Sequence, residues 1–167
     1  HKGSLDNVKV AFIGDGNNNV THSLALGCSM LGMDFSVASP STDRMSDEIT
    51  NKCRAFAVDS GAKIVETLNA YEAVDGADVV YTDTFVSMGD EANKAEILKR
   101  FEGFEVNGRV MQAAKNDAVF MHDMPAYRGV EVSSEVIDGP QSIIYDQAEN
   151  RQHAQKAIIL HLLNVAI

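Results

Sequence analysis

The chain has 167 residues, of which 45% are hydrophobic and 23% charged, the profile of a globular protein able to bury a full core. Its formal charge of −10 argues against non-specific nucleic-acid binding, which needs clustered Lys and Arg to displace counterions. The longest apolar run, Ala157-Ile158-Ile159-Leu160, is broken by His161, far short of a membrane span, so no membrane role is expected. Cys28 and Cys53 are widely spaced, with no CxxC pair and no His cluster beside them. Neither a structural disulfide nor a metal site is expected, and a reducing cytoplasm is the default location.

Strand-like and helix-like segments alternate from end to end. Residues 8–13 read as a short buried strand, followed by a Gly/Asn turn and an apolar helical run over 20–31. A second strand over 35–38 is stopped by Ser39-Pro40. A helix over 47–58 leads to a strand at 63–65, then to a short helix at 71–74. Further strands are expected at 78–81 and 118–121, with helical segments between 91 and 114. A last strand is expected at 142–145, before a C-terminal helix over 148–163. Six apolar runs separated by helices predict an α/β fold. The expected architecture is a doubly wound, mainly parallel Rossmann-like sheet with helices on both faces, in one domain over 1–167. The C-terminal helix carries Ala157, Ile158, Ile159, Leu160, Leu162 and Leu163, which cover more than one helical face. It is either deeply buried or expects another domain.

Four polar groupings follow strand ends, the edge where open α/β sheets bind ligands. The first, Gly14-Asp15-Gly16-Asn17-Asn18-Asn19, offers a tight turn and a helix N-terminus. The third glycine of a dinucleotide fingerprint is missing, and the second strand ends without an acidic residue, so no NAD site is expected. The asparagines suit a carboxylate or an amino-acid backbone, or an ordinary Asx turn and helix cap. The second grouping, Asp83-Thr84-Phe85-Val86-Ser87-Met88-Gly89, places a carboxylate where it could hold an ammonium or serve as a structural acceptor. The third, Met121-His122-Asp123-Met124-Pro125, sets imidazole and carboxylate side by side ahead of a proline. In the fourth, Asp146-Gln147-Ala148-Glu149-Asn150-Arg151, the guanidinium could bind phosphate or carboxylate, or pair with a surface acid.

With these residues in hand the chain resembles the aspartate/ornithine carbamoyltransferases, and specifically their amino-acid-binding half. Residues 8–23 (VKVAFIGDGNNNVTHS) match the family's first strand, Gly-Asp turn and Asn-Asn pair. Residues 83–89 match DxxxSMG, a motif specific to the ornithine-type branch, and residues 136–142 and 146–151 (DQAENR) are further matches. The resemblance implies transfer of a carbamoyl group from carbamoyl phosphate to the side-chain amine of L-ornithine, giving citrulline, with no cofactor. It implies that Asp83 takes the α-ammonium and Asn19 helps to hold the α-carboxylate, with Ser87, Met88 and Met124 lining the amino acid. Arg151 would bind carbamoyl phosphate. His122–Pro125 falls on the HCLP motif, whose counterpart peptide predicts a cis Met124–Pro125 bond. The full-length protein would be a homotrimer or higher assembly.

Two departures qualify that picture. Neither the family's Ser-x-Arg-Thr-Arg phosphate loop nor its His-Pro-x-Gln segment occurs in the sequence. The carbamoyl-phosphate domain is therefore expected to lie outside this chain, and the chain alone to be inactive. Asp123 replaces the cysteine of HCLP, beside the reacting amine. A carboxylate there stabilises the ammonium over the nucleophilic amine. It also repels phosphate by roughly 4 kcal/mol at about 4 Å and an effective dielectric near 20, about a thousandfold in rate. Either Asp123 is protonated, or it faces a cation, or the substrate is an amine other than ornithine; it could also act as a general base alongside His122. A paralogue for another amine and a non-catalytic amino-acid-binding protein are the alternatives.

Overall fold

The computed structural model describes residues 1–86, 89 and 91–165. Five parallel strands form its centre: β1 (Lys9–Ile13), β2 (Asp34–Ala38), β3 (Ile64–Thr67), β4 (Val79–Thr82) and β5 (Val119–His122). Helices α1 (Asn19–Leu31), α2 (Asp47–Ser60), α3 (Ala70–Val74), α4 (Lys94–Arg100), α5 (Gly108–Ala113), α6 (Ser134–Ile137) and α7 (Ile144–Leu162) connect or follow them.

The strands form because alternate side chains enter two different cores. On β1, Val10 and Phe12 pack with Phe35, Val37, Ala25 and Cys53 on the α1–α2 side. Ala11 and Ile13 pack with Val74, Val80, Val110 and Ile137 on the side of α3, α5 and α6. Phe12, Phe35 and Phe120 are fully buried, each contributing about 1.5–3 kcal/mol. A sheet covered on both faces has no polar face, which explains the unbroken apolar runs. Cys28 and Cys53 are buried free thiols within this core.

Strand order is β3-β2-β1-β4-β5. The chain winds outward from β1 to β3, then crosses back to place β4 on the other flank of β1. The loops after β1 and β4 therefore diverge, opening a crevice at the sheet's carboxyl edge. Glycine shapes that edge: a Cβ on Gly16 would lie 2.7 Å from the Asp43 carbonyl oxygen, which accepts the Gly16 N–H at 2.8 Å. No bulkier residue could approach the β2–α2 loop so closely.

The expected sixth strand is not formed. Residues 142–145 contribute a single bridge, Ser142 to Phe120, supported by Phe120 N–H to the Gln141 carbonyl and Ile143 N–H to the Phe120 carbonyl. The chain then turns into α7 at Ile144, four residues before the expected helix start. Ile144 is the only buried residue of α7; Ile158, Ile159, Leu162 and Leu163 are between 56% and 72% exposed. Deep burial of this helix is thereby excluded, and its apolar face is open. Among the described residues, no helix is long and apolar enough to cross a membrane.

Candidate functional site

The groups singled out in the sequence converge on the carboxyl ends of β1, β4 and β5. Asp83 follows β4 directly. Its Oδ1 accepts the Thr84 N–H at 2.6 Å, and its Oδ2 lies 3.3 Å from the Asn18 Nδ2 donor. Phe85, two residues on, stacks on Phe101 with ring centroids 4.5 Å apart. That contact pins the loop that carries Asp83.

Asn18 is the N-cap of α1, its Oδ1 accepting the Thr21 N–H at 2.8 Å. One amide thus caps a helix with its oxygen and reaches across the switch point to Asp83 with its nitrogen. Asn19, the asparagine expected at the site, is the first residue of α1 and is exposed; the contact with Asp83 belongs to its neighbour. Asp15 Oδ1 accepts the Asn17 N–H at 2.8 Å, closing the preceding Asx turn.

His122 ends β5 and is buried. Its N–H donates to Gln147 Oε1 at 2.9 Å, and Gln147 Nε2 donates to the Tyr81 hydroxyl at 2.7 Å, so α7 clasps the ends of β5 and β4 together. His122 Nδ1 accepts the Met124 N–H at 2.9 Å, which assigns the ring proton to Nε2. Nε2 lies 3.4 Å from Oε1 of the fully buried Glu131, an oxygen that also accepts the Tyr127 N–H. Glu131 carried no mark as a site residue in the sequence: between Val130 and Val132 it reads as the solvent-facing member of an alternating run. Gln147, within the DQAENR motif, has no sequence feature that marks it as the clasp between β4 and β5.

Asp123 is the exposed partner, its side chain 38% accessible and its Oδ1 3.9 Å from His122 Nδ1. Asp83, His122 and Asp123 each present one oxygen or nitrogen, and these atoms lie within 4.8 Å of one another. The Nδ1 lone pair is already engaged by Met124, so the capacity of the three to accept further hydrogen bonds rests with the two carboxylates, of which Asp83 already accepts from Thr84 and Asn18. Burial, and next the charge of Asp123, push the Asp83 carboxyl up to about 6, against the opposing pull of the Thr84 N–H and His122. The Tyr81 phenol is raised by burial and by the same two acids.

Met124 has φ 63° and precedes a cis bond to Pro125, as the motif predicts. It lines a hollow with His122, Asp123, Gln147, Ala148 and Arg151. Arg151, exposed on the second turn of α7, forms no ion pair among the described residues; Glu149, its expected surface partner, lies 3.7 Å from His153 instead. Ser87 and Met88 lie outside the described residues. A second cleft, between α5 and α6, has Glu135 as its titratable side chain, and that carboxylate already accepts the Gly108 N–H at 2.8 Å.

The family described as aspartate/ornithine carbamoyltransferase, Asp/Orn binding domain, matches residues 6–162. An ornithine carbamoyltransferase of Caldicellulosiruptor saccharolyticus is 51% identical over 95% of this chain and 51% of its own length. That of Bacillus subtilis is 47% identical over 97% of this chain and 50% of its own. Among solved structures, the ornithine carbamoyltransferase from Pyrococcus furiosus superposes with a TM-score of 0.90 at 43% identity, covering 95% of this chain and 50% of that one. The anabolic enzyme from Campylobacter jejuni gives 0.89 at 40% identity, covering 96% and 53%. The chain spans about half the length of the curated relatives it matches.

Proposed function

The chain belongs to the aspartate/ornithine carbamoyltransferase family, and from that premise we propose that it is the amino-acid-binding half of an ornithine-type carbamoyltransferase. The reaction served is transfer of a carbamoyl group from carbamoyl phosphate to the side-chain amine of L-ornithine. The observation that carries this reading is the meeting of Asp83, Asn18, His122 and Asp123 at the β1/β4 switch point, with Arg151 across the adjoining hollow.

Each group has a task fitted to its surroundings. Asp83 takes the α-ammonium by a charge-assisted bond. The helix N-terminus at Asn18 and Asn19 favours the α-carboxylate, because its first N–H groups have no intrahelical partner. Ser87 and Met88 follow Asp83 within the ornithine-type motif and are assigned to the same amino acid. Met124 bounds its side chain. His122, whose Nδ1 accepts the Met124 N–H, fixes the turn that carries Asp123. Arg151, without an acid partner among the described residues, offers its fork to the phosphate of carbamoyl phosphate.

The remaining phosphate-binding groups are assigned to a second domain, with which this one encloses the reactants. The open apolar face of α7 is the surface we assign to that contact. Reaction of two substrates depends on holding them together, so the 167-residue chain alone binds L-ornithine without turnover. The test is citrulline formation from carbamoyl phosphate and L-ornithine, measured for this chain and for a longer protein containing it. Turnover by the longer protein alone supports the reading; turnover by the 167-residue chain refutes the division of labour.

Asp123 favours a second reading. Two carboxylates within 4.8 Å suit a more cationic amine, or a protein that binds an amino acid without transferring to it. A panel of amines offered to the longer protein separates these: strong preference for another amine replaces ornithine, and binding with no transfer to any amine removes the enzyme reading.

A further inference from the structure

The cluster at the switch point holds more carboxylate than it holds cation. Asp83 and Asp123 present oxygens within 4.8 Å of each other, and among the described residues neither forms an ion pair with Lys or Arg. Groups facing them are few. Tyr81 on β4 is neutral and bonded to Gln147; His122 on β5 presents a nitrogen that already accepts an N–H; Asn18, the N-cap of α1, donates to Asp83 alone. Glu131 lies behind His122, and Arg151 on α7 is exposed across the hollow.

Two carboxylates this close, half screened from water and lacking a counter-cation, cannot both ionise without cost. The cheapest neutralisation is one proton held between them, as in other carboxylate dyads. We infer that Asp83 and Asp123 form a single ammonium-binding carboxylate pair, which shares one proton in the absence of ligand and releases it to solvent when a substrate ammonium docks. The inference rests on the amino-acid reading above and adds to it a proton linkage that Asp123 creates. The upward displacement of the Asp83 carboxyl, caused by burial and then by Asp123, agrees with the geometry.

Proton balance is simple. The ligand arrives as R–NH3+, one carboxylic acid of the pair becomes a carboxylate, and the proton goes to bulk water. No bond of the ligand is made or broken. Because one proton is released per amine bound, affinity falls about tenfold per pH unit below the titration of the pair. Above it, affinity is flat.

The decisive experiment follows the aspartate carboxyl carbons of the 167-residue chain by NMR from pH 3 to 9. Asp83→Asn and Asp123→Asn assign the two signals, and Asp123→Cys serves as an independent second removal of the charge. The expected result is one macroscopic step in the ordinary carboxylate range and a second well above it. In both Asp123 variants the Asp83 signal should fall back by at least about one pH unit. Added L-ornithine should abolish the upper step. Ordinary titration of both acids overturns the pair, as does an Asp83 signal unmoved by either variant. An upper step that survives added L-ornithine overturns the docking role, whether or not the ligand binds. The carbamoyltransferase reading is judged separately, by citrulline formation in the longer protein, so failure of one is distinguishable from failure of the other.

Discussion

Asn18 Nδ2 lies 3.3 Å from Asp83 Oδ2, joining the first turn after β1 to the first residue after β4. The same amide's oxygen caps α1 through the Thr21 N–H. One side chain thus sets the helix start and the orientation of the acid opposite.

Substitution at Asn18 separates those two jobs. Asn18→Ala removes both and should cost about 1 kcal/mol of stability, the usual worth of an N-cap. Asn18→Ser keeps a capping oxygen but has no amide donor for Asp83. It should retain stability within about 0.5 kcal/mol while weakening L-ornithine binding. Urea denaturation and calorimetric titration measure the two effects, and equal losses in both variants would contradict the division.

A second prediction concerns the buried acid behind His122. Glu131 is inaccessible, accepts the Tyr127 N–H and faces His122 Nε2 at 3.4 Å. Glu131→Ala strands a backbone donor and should destabilise the chain by about 1–3 kcal/mol. Glu131→Gln retains an acceptor for Tyr127 and should lose less. Near-neutral Glu131→Ala in denaturant melts would show that the carboxylate carries no structural role.

Much of this was readable from residue order alone. Five of the six expected strands exist, because burial on both faces leaves continuous apolar runs that mark parallel strands. Residues 142–145 misled because a short apolar run fits a strand or a buried helix start equally well. The chain makes one bridge there before Ile144 opens α7. The cis Met124–Pro125 bond is where the motif puts it, and Asp83, His122 and Asp123 lie together at the strand ends. Which asparagine caps α1 and faces Asp83 was not legible, since three consecutive asparagines carry no mark of it; the structure gives both contacts to Asn18. Glu131 was invisible for a related reason: only the folded loop brings it beneath His122.

The acid pair also predicts how stability depends on pH. The Asp83 carboxyl titrates near 6 when folded, against 3.8 as the ordinary value. Between those values the folded state holds a proton that the unfolded chain has lost. Stability from this group is therefore full below the lower value and declines as pH rises through the upper one. Asp123→Asn removes the repelling charge, so its gain over the parent should be larger at pH 7.5 than at pH 4. Partial exposure limits the difference to about 1 kcal/mol. Denaturation midpoints at the two pH values test it, and an equal or reversed difference would sink the idea.

Arg151 supplies the sharpest separation of binding from folding. It is exposed on α7 and has no ion pair among the described residues, so removing it breaks no described salt bridge. Arg151→Ala should change stability by no more than about 0.5 kcal/mol. In the longer protein it should sharply weaken carbamoyl phosphate binding, because a planar fork that can hold two phosphate oxygens is lost. Arg151→Lys keeps the charge but not the fork, and should recover only part of that affinity. L-Ornithine binding by the 167-residue chain should be little affected by either change, since Asp83 and Asn18 lie at the strand ends rather than on α7. Titrations with the two ligands on separate samples read these effects directly. If Arg151→Ala weakened L-ornithine and spared carbamoyl phosphate, the guanidinium would belong to the amino acid's carboxylate and the assignment of the hollow would have to be reversed.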